Sequence, residues 1–270
     1  MIDMNRTGAL KLLNSSCLLI VFKTLFFAGW LFAGWLLPSI NVEAQNIKIV
    51  TEYLAPYQQR NADGSLGGYS TQVVRALVAG VGDTADILVL PWARAYAIAL
   101  KEPNVLIYSI SHSRERDALF HWVGILHHER AFIWGLKSRF SQPLSSLEEI
   151  TPYIISTTHD SNPDIYLSRR QFKKLHHVVN AEQNIELLFK QRVDLIVGSA
   201  LPVRTLVKQQ GFDFAQIRPL FEIDDLNTDL SLAFSRDTDA KLVTRYQQAF
   251  AKMKQTGKLA AIRQKWRLEK

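Results

Sequence analysis

The sequence predicts an α/β protein. Three observations carry that expectation: short β-branched runs alternate with segments of helical apolar spacing, Gly, Pro and Asn mark the joins, and the chain closes on two consecutive amphipathic helices. The βα alternation further suggests largely parallel sheets.

Residues 47–50 read as the first strand. A helix follows, with Ser70 or Thr71 as its cap, Val73, Val74, Leu77 and Val78 as its apolar stripe and Gly80 as its stop. Residues 87–90 form a second strand. Pro91 then suits the first turn of a helix through Leu100, since the N–H it lacks would have no partner there, and Pro103-Asn104 ends it. Residues 105–108 are a third strand. Arg114, Glu115 and Arg116 then lead straight into the strand-like Phe120-His121-Trp122, either as a solvated turn or as a fixed cation facing an anionic ligand. Residues 131–136 and 153–155 look extended, with Ser145 and Glu148 as a capping-box pattern for a short helix between them. Asn162-Pro163 opens a helix, residues 177–179 are extended, and Asn180 with Gln183 caps another helix. Residues 193–197 are a strand, and Pro202 opens a helix that Gly211 closes. After an extended segment at 232–234, Val243, Tyr246, Phe250 and Met253 make one stripe; past Gly257, Leu259, Ile262 and Trp266 make another. No repeat or flexible linker interrupts the chain, so two lobes would be joined by short crossings.

Residues 1–44 read as a secretory signal. Arg6, Lys11 and Lys23 are basic, residues 25–37 (LFFAGWLFAGWLL) are apolar or small, and Val42-Glu43-Ala44 offers a cleavage site before Gln45. The alternative is an uncleaved anchor over residues 18–40, nearly long enough to span a bilayer. Cys17, the single cysteine, precedes the apolar run and has Asn14 three residues before it, which is not the layout of a lipid-attachment site. Cleavage leaves 226 residues without cysteine, excluding disulfides, a thiolate nucleophile and a Cys-based zinc site from the mature protein. The formal charge of +7 falls to about +6 after cleavage, a balance suited to anionic ligands. No basic block interleaves with aromatics, so nucleic acid is not an expected partner. His127-His128 and His176-His177 are adjacent pairs that do not share a helix face, and no His-Glu-x-x-His spacing occurs; no metal is expected. Nucleophile elbows and phosphate-cradling glycine loops are missing, and no cofactor is expected.

Several stretches, in this order, resemble one family. IKIVTEYLAPY is similar to its opening strand with an acidic residue and a Pro-aromatic pair, and GGYSTQVVRALV to its Gly-aromatic helix entry. PWARAYAIAL and ISHSRERDALFHWVG resemble a branch in which Trp-x-Arg precedes a Glu-Arg turn and a Trp-Val-Gly strand; GKLAAIRQKW resembles the closing helix. The chain is identified as resembling extracellular solute-binding protein family 3, the polar amino-acid ABC-transporter type. The resemblance implies a two-lobed periplasmic binding protein type II (Venus-flytrap) fold with a two-strand hinge. Lobe one would be residues 45–126 plus 230–270, lobe two residues 131–226, and the crossings residues 127–130 and 227–229. The implied partners are a small-molecule ligand and a membrane ABC permease, and the protein is expected to be periplasmic and monomeric.

The resemblance also assigns residues. Arg116 stands where the family binds a ligand carboxylate, a role suited to a planar, permanently charged guanidinium. Ser111 replaces a Thr that reaches the same carboxylate, and Ser109 matches a position that contributes backbone. Arg114 has no counterpart and is expected on the surface. Glu52 either meets a ligand amine or pairs with a neighbouring cation. Tyr53, Tyr57 and Trp92 either wall the pocket or pack in the core. Arg94 either adds a second cation or is an ordinary helix residue.

Two departures bear on the ligand. Where amino-acid-binding members place an Asp for the α-ammonium, this chain has Ser199. The usual Gly-rich turn is replaced by STTHDSN, in which Ser156, Thr157, Thr158 and Asp160 could supply contacts and Asp160 could take over the ammonium. An amino acid, another small carboxylate and a modified amine all stay open. Capture without chemistry is the expected function. The rivals are a cyclohexadienyl-dehydratase-like enzyme, with Glu52, His112, His159 and Asp160 as acid–base candidates, and a ligand sensor, expected to be free-standing because the chain stops at Lys270.

Overall fold

The computed structural model describes residues 45–268; the expected signal segment, residues 1–44, and Cys17 within it lie outside them. Two α/β lobes are each built on a five-stranded mixed sheet. The first sheet takes β1 (Asn46–Thr51), β2 (Thr84–Val89), β3 (Val105–Ser111), β4 (Phe120–Glu129) and β10 (Thr228–Ser235) in the order β2-β1-β3-β10-β4. Its first three strands are parallel, and β10 runs antiparallel to both neighbours. The second takes β5 (Ala131–Leu136), β6 (Ile155–Thr158), β7 (Leu175–Val178), β8 (Leu195–Ser199) and β9 (Ile217–Glu222) in the order β9-β5-β8-β6-β7. Its β8-β6-β7 part is parallel, while β5 is antiparallel to β8 and β9. The sheets are therefore mixed rather than largely parallel: β4, β5, β9 and β10 carry the chain between lobes without a helical return, so they pair antiparallel.

Helices α1 (Tyr69–Val81), α2 (Trp92–Lys101), α6 (Ala240–Gln255) and α7 (Lys258–Lys265) belong to the first lobe; α3 (Asn162–Arg169), α4 (Ala181–Phe189) and α5 (Ala200–Gln209) belong to the second. The stripe Val73, Val74, Leu77 and Val78 on α1 packs with Tyr246, Phe250 and Met253 on α6 in one core. In the second lobe Trp134, Ile185, Ile196 and Leu206 fill one side of the sheet, Ile133, Ile155, Leu167 and Leu195 the other.

Some caps differ from expectation. Helix α1 starts at Gly68 (φ 105°), not at a Ser70 or Thr71 cap; a Cβ there would run into the Tyr57 carbonyl, which accepts from the Ser70 and Thr71 amides. Its end is Gly82 in the left-handed region rather than Gly80. The Ser145/Glu148 box is not formed, and only a short 3-10 turn, Glu148–Ile150, appears. The Asn180/Gln183 box on α4 is complete. On the first crossing β4 runs through His127 and His128 to Glu129, so Arg130 alone separates it from β5; on the second, Thr228 already pairs with Glu129. No described helix is long and apolar enough to cross a membrane.

Candidate functional site

A cavity of about 160 Å³ lies between the lobes. The first lobe lines it with Glu52, Trp92, Ser109, Ser111 and Arg116; the second presents Thr157, Thr158, Asn184 and Ser199, with Glu129 where the crossings run. These positions follow from topology, because strand ends and helix starts of both sheets open on one crevice.

Arg116 is the largest charged side chain hidden from water, at 2% exposure. Its guanidinium lies 5.3 Å from the Trp92 ring and 4.8 Å from the Tyr96 ring, cation–π contacts that hold it without neutralising it. Nη2 donates to the Asp160 carbonyl at 3.2 Å and Nη1 to the Ser111 carbonyl at 3.5 Å, while Nε has no partner. Burial lowers its pKa, opposed by Tyr96 and Glu115. The rings beside the cation come from α2 rather than from the Phe120-His121-Trp122 run that follows it, and β3 ends in the loop that carries it.

Ser109 is placed by a bulge. Opposite β3, Ser231 pairs with Ile110 and Leu232 with Tyr108, so Ser109 is the extra residue, and its φ of 57° turns it out of the ladder. Its hydroxyl donates to Ser70 Oγ at 3.0 Å and accepts from Gln58 Nε2. Two hydrogen-bond partners help offset a left-handed backbone that costs a non-glycine residue about 1 kcal/mol or more.

The glycine-free loop after β6 is built around a carboxylate. Asp164 accepts from Thr157 Oγ1 at 2.7 Å, from the Asp160 amide at 3.0 Å and faces His177 Nδ1 at 2.8 Å, with Ser161 capping the helix at the Asp164 amide. Asp160 takes φ 58°, a conformation Asp tolerates, and this aims its carbonyl across the cavity mouth. That carbonyl accepts from Trp92 Nε1 at 2.9 Å and from Arg116. Beyond this rim lies a polar cleft of about 460 Å³, where Glu115 meets Arg169 at 2.8 Å and Asp225 meets Arg170 at 2.8 Å; Arg114 lines it and is exposed.

Two acids face the cavity. Glu52 has a carboxylate oxygen, Oε2, shielded from water and without a partner. Burial first, then Glu182, pushes its pKa up to about 8, with Arg116 pulling the other way. Glu129 is 8% exposed, accepts from the Tyr57 phenol, and has His127 Nε2 at 3.5 Å. Burial raises its pKa, while the nearby Ser199 and Tyr57 hydroxyls favour its charged form. His127 is pushed down to about 4, first by burial and then by Arg263, so it stays neutral.

Several candidate residues lie outside the cavity lining. Tyr53 does not line the cavity; the Arg60 guanidinium lies over its ring at 5.0 Å. Tyr57 is a buried core residue acting through Glu129. Arg94 is exposed and supplies no second cation, because Trp92 and Ala95 take the buried face of α2. Asp160 turns its carbonyl to Arg116, whereas its carboxylate faces His159 at 3.2 Å and does not line the cavity. His112 stacks on Trp122 at 3.7 Å and pairs with Asp117, away from the cavity. Glu129 and Asn184 were missed. Glu129 sits in a His-His-Glu-Arg run that reads as a polar crossing, and its inward face depends on the register of β4 against β10.

Two lobes closing on a charged cavity define a ligand-capture architecture. The chain belongs to the bacterial extracellular solute-binding proteins, family 3, whose profile matches residues 47–269. No curated protein matches the sequence. Among solved structures, a histidine kinase sensor domain with similarity to periplasmic binding proteins is similar at 20% identity and TM-score 0.72, covering 82% of this chain and 95% of that one. An ABC uptake transporter substrate binding protein from Streptococcus pneumoniae with bound histidine gives 16% identity and TM-score 0.72, covering 82% and 92%. The arginine-, lysine-, histidine-binding protein ArtJ from Geobacillus stearothermophilus gives 14% and 0.70, covering 82% and 94%. At such identities these likenesses speak for the fold, which is the two-lobed periplasmic binding protein fold. Among the described residues no cluster of His, Cys, Asp and Glu has the makings of a metal site.

Proposed function

We propose that this protein captures a small carboxylate-bearing solute, an amino acid or a relative of one, in the interlobe cavity and performs no chemistry on it. Residues 45–126 with 230–270 and residues 131–226 act as the two lobes, swinging on the crossings near 127–130 and 227–229. Exported to the periplasm, the loaded protein hands its solute to an ABC permease; the family and the transporter-associated neighbour support that role. One observation carries the reading: a buried guanidinium with an unpartnered Nε opens on a cavity between two lobes. A carboxylate arriving there gains charge-assisted hydrogen bonds in a site water does not screen.

The test is a thermal-shift and calorimetric comparison of wild type with Arg116→Ala over amino acids, carboxylates and amines. A ligand that binds only the folded state raises the wild-type melting temperature. The variant is expected to lose that rise, with affinity down at least about a hundredfold, while its circular dichroism is unchanged; undiminished affinity removes Arg116 from the site. A sensor reading has support from the sensor-domain neighbour. In that case the same capture signals to a membrane receptor, and pull-down with loaded protein retrieves a kinase rather than a permease.

A further inference from the structure

At the opposite end of β1 from Glu52 lies a carboxylate that the cavity does not use. Asp83 follows Gly82 at the end of α1, and its side chain is shielded from water. Its Oδ1 accepts from the backbone nitrogen of Gln45 at 3.1 Å and from Arg245 Nη2 on α6 at 2.6 Å. Its Oδ2 is buried and has no partner. The other titratable groups beside it are Tyr246 on α6, whose phenol burial and Asp83 keep neutral, and Asp86 on β2, which accepts from the Asn46 amide. Gln45 is also the residue that the Val42-Glu43-Ala44 pattern leaves first in the chain.

We propose that Asp83 is the seat of the mature amino terminus: cleavage after Ala44 turns the Gln45 nitrogen from a peptide amide into an ammonium, which pairs with the buried carboxylate and pins β1 to α1 and α6. This rests on the export reading above, not on the ligand site. A peptide amide offers one N–H and meets one oxygen; an ammonium offers three and reaches the orphaned Oδ2 as well. A neighbouring carboxylate favours the charged form of an amine. That pairing has a chemical consequence. In an unpaired terminal glutamine the neutral amine attacks Cδ of its own side-chain amide; the N–Cδ bond forms, the bond from Cδ to the amide nitrogen breaks, and ammonia leaves carrying a proton from the amine. An ammonium has no lone pair for the attack, so Asp83 guards Gln45 against ring closure.

Intact mass of the exported protein and pH-dependent melting test this. The mass is expected to match residues 45–270 with the ammonia retained. A preparation that starts one alanine before Gln45 keeps the peptide N–H and the Asp83–Arg245 pair but moves the charge away. It is expected to melt about 2–4 °C below the mature protein at pH 7. An α-amine ordinarily titrates at about 7.7–8.0 and a paired one higher, so its stabilisation is present below that range and lost as pH rises through it. The gap between the two chains should therefore close by about pH 10, and Glu52, common to both, cancels from it. Asp83→Asn is expected to shed ammonia from Gln45 about tenfold faster at neutral pH; should it fail to fold, the extended chain decides. A terminus other than Gln45, a wild-type Gln45 already ring-closed, or an extended chain as stable as the mature one overturns the inference. Each of those leaves capture by Arg116 standing, and a protein silent to every ligand leaves the Asp83 seat standing.

Discussion

The two walls of the cavity solve the same problem with different chemistry. The first lobe brings ionised or ionisable groups to the surface of the cavity: a cation beside the stacked rings of Trp92 and Tyr96, and the orphaned acid Glu52. The second brings hydroxyls and an amide from Thr157, Thr158 and Asn184, and its buried acid, Asp164, is directed inward to shape the loop. A buried charge needs either a ligand or a set of local partners. The first wall keeps unpartnered polar atoms, Glu52 Oε2 and Arg116 Nε; Asp164 on the second is satisfied by local partners. On the proposed capture reading, discrimination by charge would fall to the first wall and the crossing, and shape complementarity to the second.

The sharpest way to break this contrast is to remove the organising acid of the second wall. Asp164→Ala leaves the Thr157 hydroxyl and the Asp160 amide without their acceptor, which is expected to cost about 2–4 kcal/mol of stability by denaturant titration. Loss of ligand response should follow, because the Asp160 carbonyl that meets Trp92 and Arg116 moves with that loop. A variant as stable as wild type would show that the second wall does not depend on its acid.

The first wall makes a pH prediction. Folded Glu52 titrates near 8 against 4.5 for the ordinary group. Between those values the folded state holds a proton that the unfolded state has released, so ligand-free stability falls as pH rises through the window. Solvent at the cavity opening limits the loss to about 1–3 kcal/mol between pH 5 and 8.5. Glu52→Gln should flatten this dependence and be the more stable form at pH 8.5; an unchanged slope would place the cause elsewhere.

The rim gives the smallest effect. Glu115 and Arg169 join the lobes through an ion pair exposed to water, worth under about 1 kcal/mol. Arg169→Ala should leave the melting temperature nearly unchanged and shift affinity less than about fivefold. A larger loss of affinity would make the outer cleft part of the binding machinery.

Legibility in the sequence follows the range of the interactions. The Asn180/Gln183 box, the α6 stripe and the opening of α3 at Asn162-Pro163 are local patterns, and all three stand in the structure. Strand β9 left no recognised signal, since Ile217–Glu222 carries Arg218, Pro219 and Glu222 among its apolar residues. Arg94 and Tyr53 looked as eligible for the cavity as Trp92. Helix phase and loop path turned the first two away, and neither is fixed by residue type alone.

What the sequence determined by itself was the alternation of elements, because hydrophobic period and capping act within a few residues; Arg116 was singled out from Arg114 only by the family resemblance. Only the tertiary structure decided that Ser109 bulges from β3, that Asp160 offers its carbonyl instead of its carboxylate, and that Glu129 faces inward beside Ser199. Those outcomes depend on register between strands far apart in the chain, and on which buried groups find partners once two lobes meet. No window of neighbouring residues contains that information.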